Sequence, residues 1–148
     1  MKLPRYEYLT EGKAELFKFI SEGPKGSINK LIVYSEMLEK DIFNLAFGDY
    51  NEETGKIDDS VITNNTDSQK VLATVASTLY VFTDKHPKVW VYAAGSNTAR
   101  TRLYRRGITA NIAEILTDFE VYGLQNETWQ QFKKGQEYEA FLAKRKFY

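Results

Sequence analysis

The sequence predicts an α+β fold: an antiparallel or mixed sheet of about five to seven strands with two main helices packed on it. The predicted order is β-β-β-(β)-α-β-α-β-β. Three observations carry this. The first third of the chain holds short alternating or β-branched apolar runs separated by turn residues. The apolar period then becomes helical from Val71, and again after Asn97. Between those helical stretches, Val89 to Ala94 is apolar at every position, as in a central strand covered on both faces.

The elements follow in order. Leu16, Lys18 and Ile20 alternate with Phe17 and Phe19, "GPKG" breaks the chain, and Ile28 to Tyr34 resumes an extended run. That is a hairpin. Ile42 to Phe47 reads as a third strand, with Phe43, Leu45 and Phe47 on one face. A polar loop follows, with room for a short fourth strand around Val61. In "TDSQKVLATVASTLYVFTDKHP", Val71, Leu72, Val75, Ala76, Leu79 and Phe82 recur at helical spacing. Thr66 and Gln69 have the form of a capping box, and Pro87 stops the helix. The other side of this helix carries the small residues Thr74, Ser77 and Thr78, so it is expected to be covered too. A second helical region runs from Asn97 to about Thr117, with a bend expected at Gly107. "DFEVYGL" and "EYEAFLAKRK" read as closing strands, and Trp90 and Tyr92 as core.

The chain has 148 residues, the length of a single domain, 1–148. Its 43% hydrophobic content is enough to fill a core and argues against disorder. The formal net charge is zero, which implies no global pull toward DNA or an acidic membrane. With no cysteine, thiolate metal sites and cysteine nucleophiles are excluded. No apolar run is long enough for a signal peptide or a membrane span, so the expectation is a soluble cytoplasmic protein.

The charges are segregated. Glu36 to Asp67 holds nine acids and two lysines, whereas Lys85 to Ala113 has lysine and arginine but no acid. "GSNTARTRLYRR" contains four of the six arginines: Arg100, Arg102, Arg105 and Arg106. On a helical wheel Arg102 and Arg105 share the side facing away from Leu103, while Arg100 and Arg106 flank the apolar stripe. The four do not form one basic face. They read first as stems covering the edge of a core, and second as a grip on a phosphate. His86, the only histidine, reads as a structural cap at the helix end. Asp49, Glu52, Glu53, Asp58 and Asp59 lack the spacing of a calcium loop and read as a solvated loop. Asn64-Asn65 reads as a turn leading into the helix, or as a polar contact beside a pocket.

Two resemblances attach to these residues. The stretch from "FGDYNEETGKIDDS" through "GSNTARTRLYRRGI", with "FEVYGL" and "YEAFLAKRK", is similar to a family of bacterial proteins of unknown function, mainly from Bacteroidetes. That likeness implies no activity. The element order, and "VYAAGSNTARTRLYRRGI" in particular, resembles the core of the GCN5-related N-acyltransferases. This second resemblance implies an acyl-CoA cofactor. It implies contacts from Asn97 and Arg100, a phosphate-binding helix start at Thr66, Ser68 and Lys70, and Tyr104 as general acid for the departing thiolate. The sequence departs from that family at "TNNTDSQK", which has no glycine and carries Asp67 where phosphates would lie, and at Gly107-Ile108, where a glycine-aromatic pair is usual.

Three functional expectations result. The first is a binding or interaction protein, as a possible homodimer. The second is a divergent acyl-CoA N-acyltransferase-like domain. The third is binding of a phosphate-bearing ligand or nucleic acid through the Arg100–Arg106 helix. Nucleic acid and membrane are disfavoured as partners, and no metal site is expected.

Overall fold

The computed structural model describes residues 4–58, 65–95 and 98–146, without the side chains of Thr98 and Arg100. Nine strands form one sheet: β1 Leu9–Glu11, β2 Leu16–Gly23, β3 Gly26–Glu36, β4 Ile42–Asn51, β5 Lys56–Ile57, β6 Trp90–Ala93, β7 Phe119–Gln125, β8 Thr128–Gln131 and β9 Ala140–Arg145. The helices are α1 Ser68–Lys85, α2 Thr98–Ala110 and α3 Ile112–Asp118. The sheet order is β1-β2-β3-β4-β6-β9-β7-β8, with β5 beside β4. The fold is α+β with a mixed sheet, in the element order the sequence predicts. Strands β1, β5 and β8 raise the count above the expected range. None of them exceeds four residues, too short for alternation to register. The position around Val61 lies outside the described residues.

The β2–β3 hairpin closes through Pro24 and Lys25, with Gly23 paired to Gly26. Gly23 also admits a neighbour: a Cβ there would lie 2.2 Å from the carbonyl oxygen of Asn65. The β7–β8 turn uses Asn126 and Glu127, both left-handed at φ 50° and 64°. Those values suit a two-residue turn that follows the twist of its strands.

Among the described residues only β4 and β6 run parallel. A parallel pair needs a crossover, and α1 supplies it. The next crossover, α2 and α3, leads to β7, and β9 returns antiparallel between β6 and β7.

All three helices cover one face. Phe17, Phe19, Ile32, Tyr34, Phe43, Leu45, Phe47, Val91, Phe119, Val121 and Phe141 point into the layer between sheet and helices. At its centre Tyr34 stacks on Phe82 at 4.1 Å, Phe82 stacks on His86 at 4.5 Å, and Phe43 meets Phe82 edge-on at 5.1 Å. His86 is the C-cap of α1, its backbone N–H bonded to the carbonyl of Phe82 and its ring 3.0 Å from the carbonyl of Lys13. The small side of α1 is covered as expected. The Thr74 hydroxyl accepts the Tyr6 N–H at 2.8 Å, and Thr78 is bonded to the Tyr34 hydroxyl at 2.9 Å. Arg145 fastens β9 to the end of α1. It lies over Tyr80 and Phe119 and donates to Thr83 and Asp84, each at 3.0 Å.

The second helical region breaks at Asn111, not at Gly107. Gly107 stays inside α2 because its bare Cα lets α2 approach α1; a Cβ there would be 3.2 Å from Leu72 Cδ2. The Asn111 amide donates to the Gly107 carbonyl at 2.9 Å as the chain turns into α3. Trp90 and Tyr92 are not core. They are half-buried on the sheet face that has no helix among the described residues, Trp90 against Tyr122 and Lys144, Tyr92 against Trp129.

Candidate functional site

The parallel pairing of β4 and β6 is short. It spans Ile42↔Trp90, Phe43↔Val91 and Asn44↔Tyr92, and β6 ends at Ala93. β4 runs on to Asn51 and is taken up again by β5 at Tyr50. Between these, Leu45 to Gly48 has no strand beside it on this edge among the described residues. Four residues of strand are about 13 Å long. Among the described residues the pairing of β4 with β6 therefore ends at Asn44↔Tyr92, which leaves a gap beside Leu45–Gly48.

Tyr104, from α2, stands in the gap. Its hydroxyl donates to the Leu45 carbonyl at 3.3 Å, and its ring meets Phe47 edge-on at 5.3 Å. Leu45 is the first β4 residue past the paired stretch, so the phenol serves a carbonyl that a longer β6 would have bonded. Behind it lies a cavity of about 70 Å³ bordered by Leu45, Leu72, Val91, Ala93, Tyr104 and Gly107. Its lining is almost wholly apolar, so it offers a water molecule few hydrogen-bond partners.

The other predicted positions fall as follows. Thr66, Ser68 and Lys70 border one open hollow at the start of α1, together with Pro4, Asp67 and Gln69. This hollow ends at Lys70, whereas the lining of the cavity by Tyr104 begins at Leu72. The capping box does not form. Thr66 has φ 57°, its hydroxyl donates back to the Asn65 carbonyl, and Asp67 occupies the N-cap position, its backbone carbonyl accepting the Val71 N–H while its side chain makes no cap bond. The Asp67 carboxylate instead accepts the hydroxyls of Tyr6 and Ser21, each at 2.5 Å. Burial and then the bond to Asp67 hold the Tyr6 phenol above its ordinary pKa. The Lys70 ammonium sits 4.2 Å from the centre of the Tyr6 ring. The positive helix start thus faces a carboxylate already committed to two hydroxyls.

Asn97 and the Arg100 side chain lie outside the described residues. Arg102 and Arg105 share a groove, as the wheel predicts, and Arg106 is exposed. Of the acidic loop, Asp49 pairs with buried Lys30. No group of three or more His, Asp or Glu side chains gathers as a metal ion would need among the described residues. No helix there is long and apolar enough to cross a membrane.

Sequence reasoning missed the Tyr6–Asp67–Ser21 cluster and the Lys30–Asp49 pair. Both join residues far apart in the chain, and no local pattern announces such pairings. Asn65 is buried, and its side chain ties the entry of α1 to the hairpin tip. It donates to the Gly26 carbonyl at 2.8 Å and accepts the Lys25 N–H at 2.8 Å.

The model of a family of unknown function, DUF6934, matches residues 2–146. The chain belongs to that family. No curated protein and no solved structure matches the chain. The assignment covers nearly the whole length and carries no activity with it, so the geometry must carry the functional argument.

Proposed function

We propose that the protein binds a coenzyme A-type thioester in the gap between β4 and β6. The observation that carries this reading is the early end of the parallel pairing, with the Tyr104 hydroxyl reaching across to the Leu45 carbonyl. An amide-rich arm such as pantetheine can add to a free strand edge as an extra strand would. The Leu45–Gly48 edge offers it about 13 Å. The apolar cavity beside Tyr104 suits a short acyl chain. In this reading Thr66, Ser68 and Lys70, which border the hollow at the start of α1, serve the phosphates, and the resemblance adds Asn97 and Arg100 as cofactor contacts.

Tyr104 then has a chemical role. As an amine nitrogen bonds to the thioester carbonyl carbon, the carbon–sulfur bond breaks and Tyr104 gives its proton to the sulfur. The phenolate recovers a proton from the amine. The reading also carries a single cytoplasmic domain, in keeping with a chain without cysteine.

Isothermal titration with CoA and acetyl-CoA tests it. Saturable binding is expected, weakened by Lys70→Ala, with acyl transfer to an amine lost in Tyr104→Phe. Absence of binding at about 1 mM, near −4 kcal/mol at most, sinks the proposal.

A second reading, self-association, rests on a different observation. The helix-free sheet face carries Trp90, Tyr92, Tyr122, Leu142 and exposed Trp129 side by side. Aromatic patches of this kind are enriched at interfaces. Sedimentation showing a dimer that Trp129→Lys dissociates supports it, and a strict monomer at high concentration removes it.

A further inference from the structure

Arg102 and Arg105 lie one turn apart on α2 and converge on a single oxygen, Oε1 of Glu137, at 3.6 Å and 3.9 Å. Both distances exceed the roughly 2.7–2.9 Å of a close charge-assisted bond. An arginine carries five N–H donors. Arg105 uses one on the Gln136 carbonyl at 3.2 Å, so the pair keeps donors for another acceptor. Glu137 is 71% exposed, and an ion pair so open to water is held weakly. The groove around them has a volume of about 460 Å³ and also presents Thr101, Gln125 and Asn126. That is within the range of small-ligand sites.

We infer that this groove is a binding site for a carboxylate-bearing ligand, and that Glu137 is its built-in competitor. A glutamate on the arginine pair is a carboxylate in the position a ligand's carboxylate would take. Each guanidinium is a planar fork of donors that matches a carboxylate, and the two approach the same carboxylate oxygen of Glu137. Glu139 borders the same groove and has no ion pair among the described residues. Its negative charge penalises a dianion more than a monoanion, so the site favours carboxylate over phosphate. The inference is independent of the coenzyme A reading, and its probes contain neither thioester nor nucleotide.

The test is a chemical-shift titration of the backbone amides with N-acetylglycine and, separately, with inorganic phosphate. N-Acetylglycine is expected to shift the amides of Thr101–Arg105 and Gln136–Glu139 saturably. Glu137→Gln should tighten binding about threefold or more by removing the competitor, and Arg105→Ala should weaken it about tenfold. Arg102→Ala, at a more exposed position, gives the same direction of change, and the dispersion of each spectrum reports whether the variant is folded. A pentapeptide with a free C-terminal carboxylate that binds about tenfold tighter than N-acetylglycine assigns the carboxylate to a chain terminus; equal affinity assigns it to a small acid. No saturable shift up to about 50 mM in either the wild type or Glu137→Gln overturns the inference. So does an affinity unchanged by Glu137→Gln, or phosphate binding tighter than N-acetylglycine.

Discussion

Asn65→Asp is close to isosteric and tests how α1 is seated on the hairpin. In the native chain Asn65 Nδ2 donates to the Gly26 carbonyl at 2.8 Å and to Ser21 Oγ at 3.3 Å, and Oδ1 accepts the Lys25 N–H. The substitution keeps the acceptor and turns the donor into an oxygen. That oxygen then faces the Gly26 carbonyl and a serine whose own proton goes to Asp67. Two hydrogen bonds are lost at about 1 kcal/mol each. A carboxylate is also placed where the residue is 1% exposed, beside the existing charge of Asp67. The total is about 3–5 kcal/mol at neutral pH. For a chain of this length that lowers Tm by about 6–20 °C. The deficit should shrink as pH falls from neutral toward about 4, because burial beside Asp67 raises the folded-state pKa of the introduced carboxyl above its unfolded value, and the protonated group regains a donor. Asn65→Ala loses those two bonds and also the acceptor for the Lys25 N–H, without adding a charge, so its deficit should be about 3 kcal/mol and should not vary with pH. Urea unfolding of the three proteins across pH 4–7 measures all of this. A loss under about 1 kcal/mol for Asn65→Asp would refute the reasoning.

Two other outcomes are expected. Thr66 holds a left-handed φ of 57° that a β-branched residue adopts only at a cost. Thr66→Asn should therefore raise the urea midpoint, with a gain of about 0.5–1 kcal/mol; a fall would mean that the threonine side chain contributes more than the strain removes. The Tyr34 phenol is fully buried and its pKa is raised from the ordinary 10.0 by that burial. Burial first, and then the bond to Asp118, raises that of Tyr80 as well. Because the folded values lie above the unfolded ones, this stability is complete below about pH 10 and is lost as pH rises beyond it. The fully buried Tyr34 contributes about 1.4 kcal/mol per pH unit there, so Tyr34→Phe should flatten the alkaline fall by that amount.

Much of the fold was legible because the relevant forces are local. Alternation in Leu16–Ile20 and the "GPKG" turn mark a hairpin, and Val71 to Phe82 mark a helix, from sequence neighbours alone. The bend was misplaced because glycine has two uses, and at Gly107 the tight approach to Leu72 outweighs helix breaking. Trp90 and Tyr92 were misread because an all-apolar strand shows two covered faces but not whether helices or neighbouring side chains cover them. Of the candidate site, Tyr104 was legible only through the resemblance of its surrounding stretch. The gap it fills depends on where β6 stops relative to β4, which is a matter of register between strands far apart in sequence. Glu137 had no signal at all, since nothing in "KKGQEYEA" announces two arginines about thirty residues earlier.

The most direct test of the thioester reading is amide hydrogen exchange across Leu45–Gly48, with and without acetyl-CoA. If the ligand adds to the free edge of β4, exchange in that segment should slow on binding, and Phe47→Pro, which removes an edge N–H, should reduce the effect. Unchanged exchange at Leu45–Gly48 under saturating acetyl-CoA would contradict the account and place any ligand elsewhere.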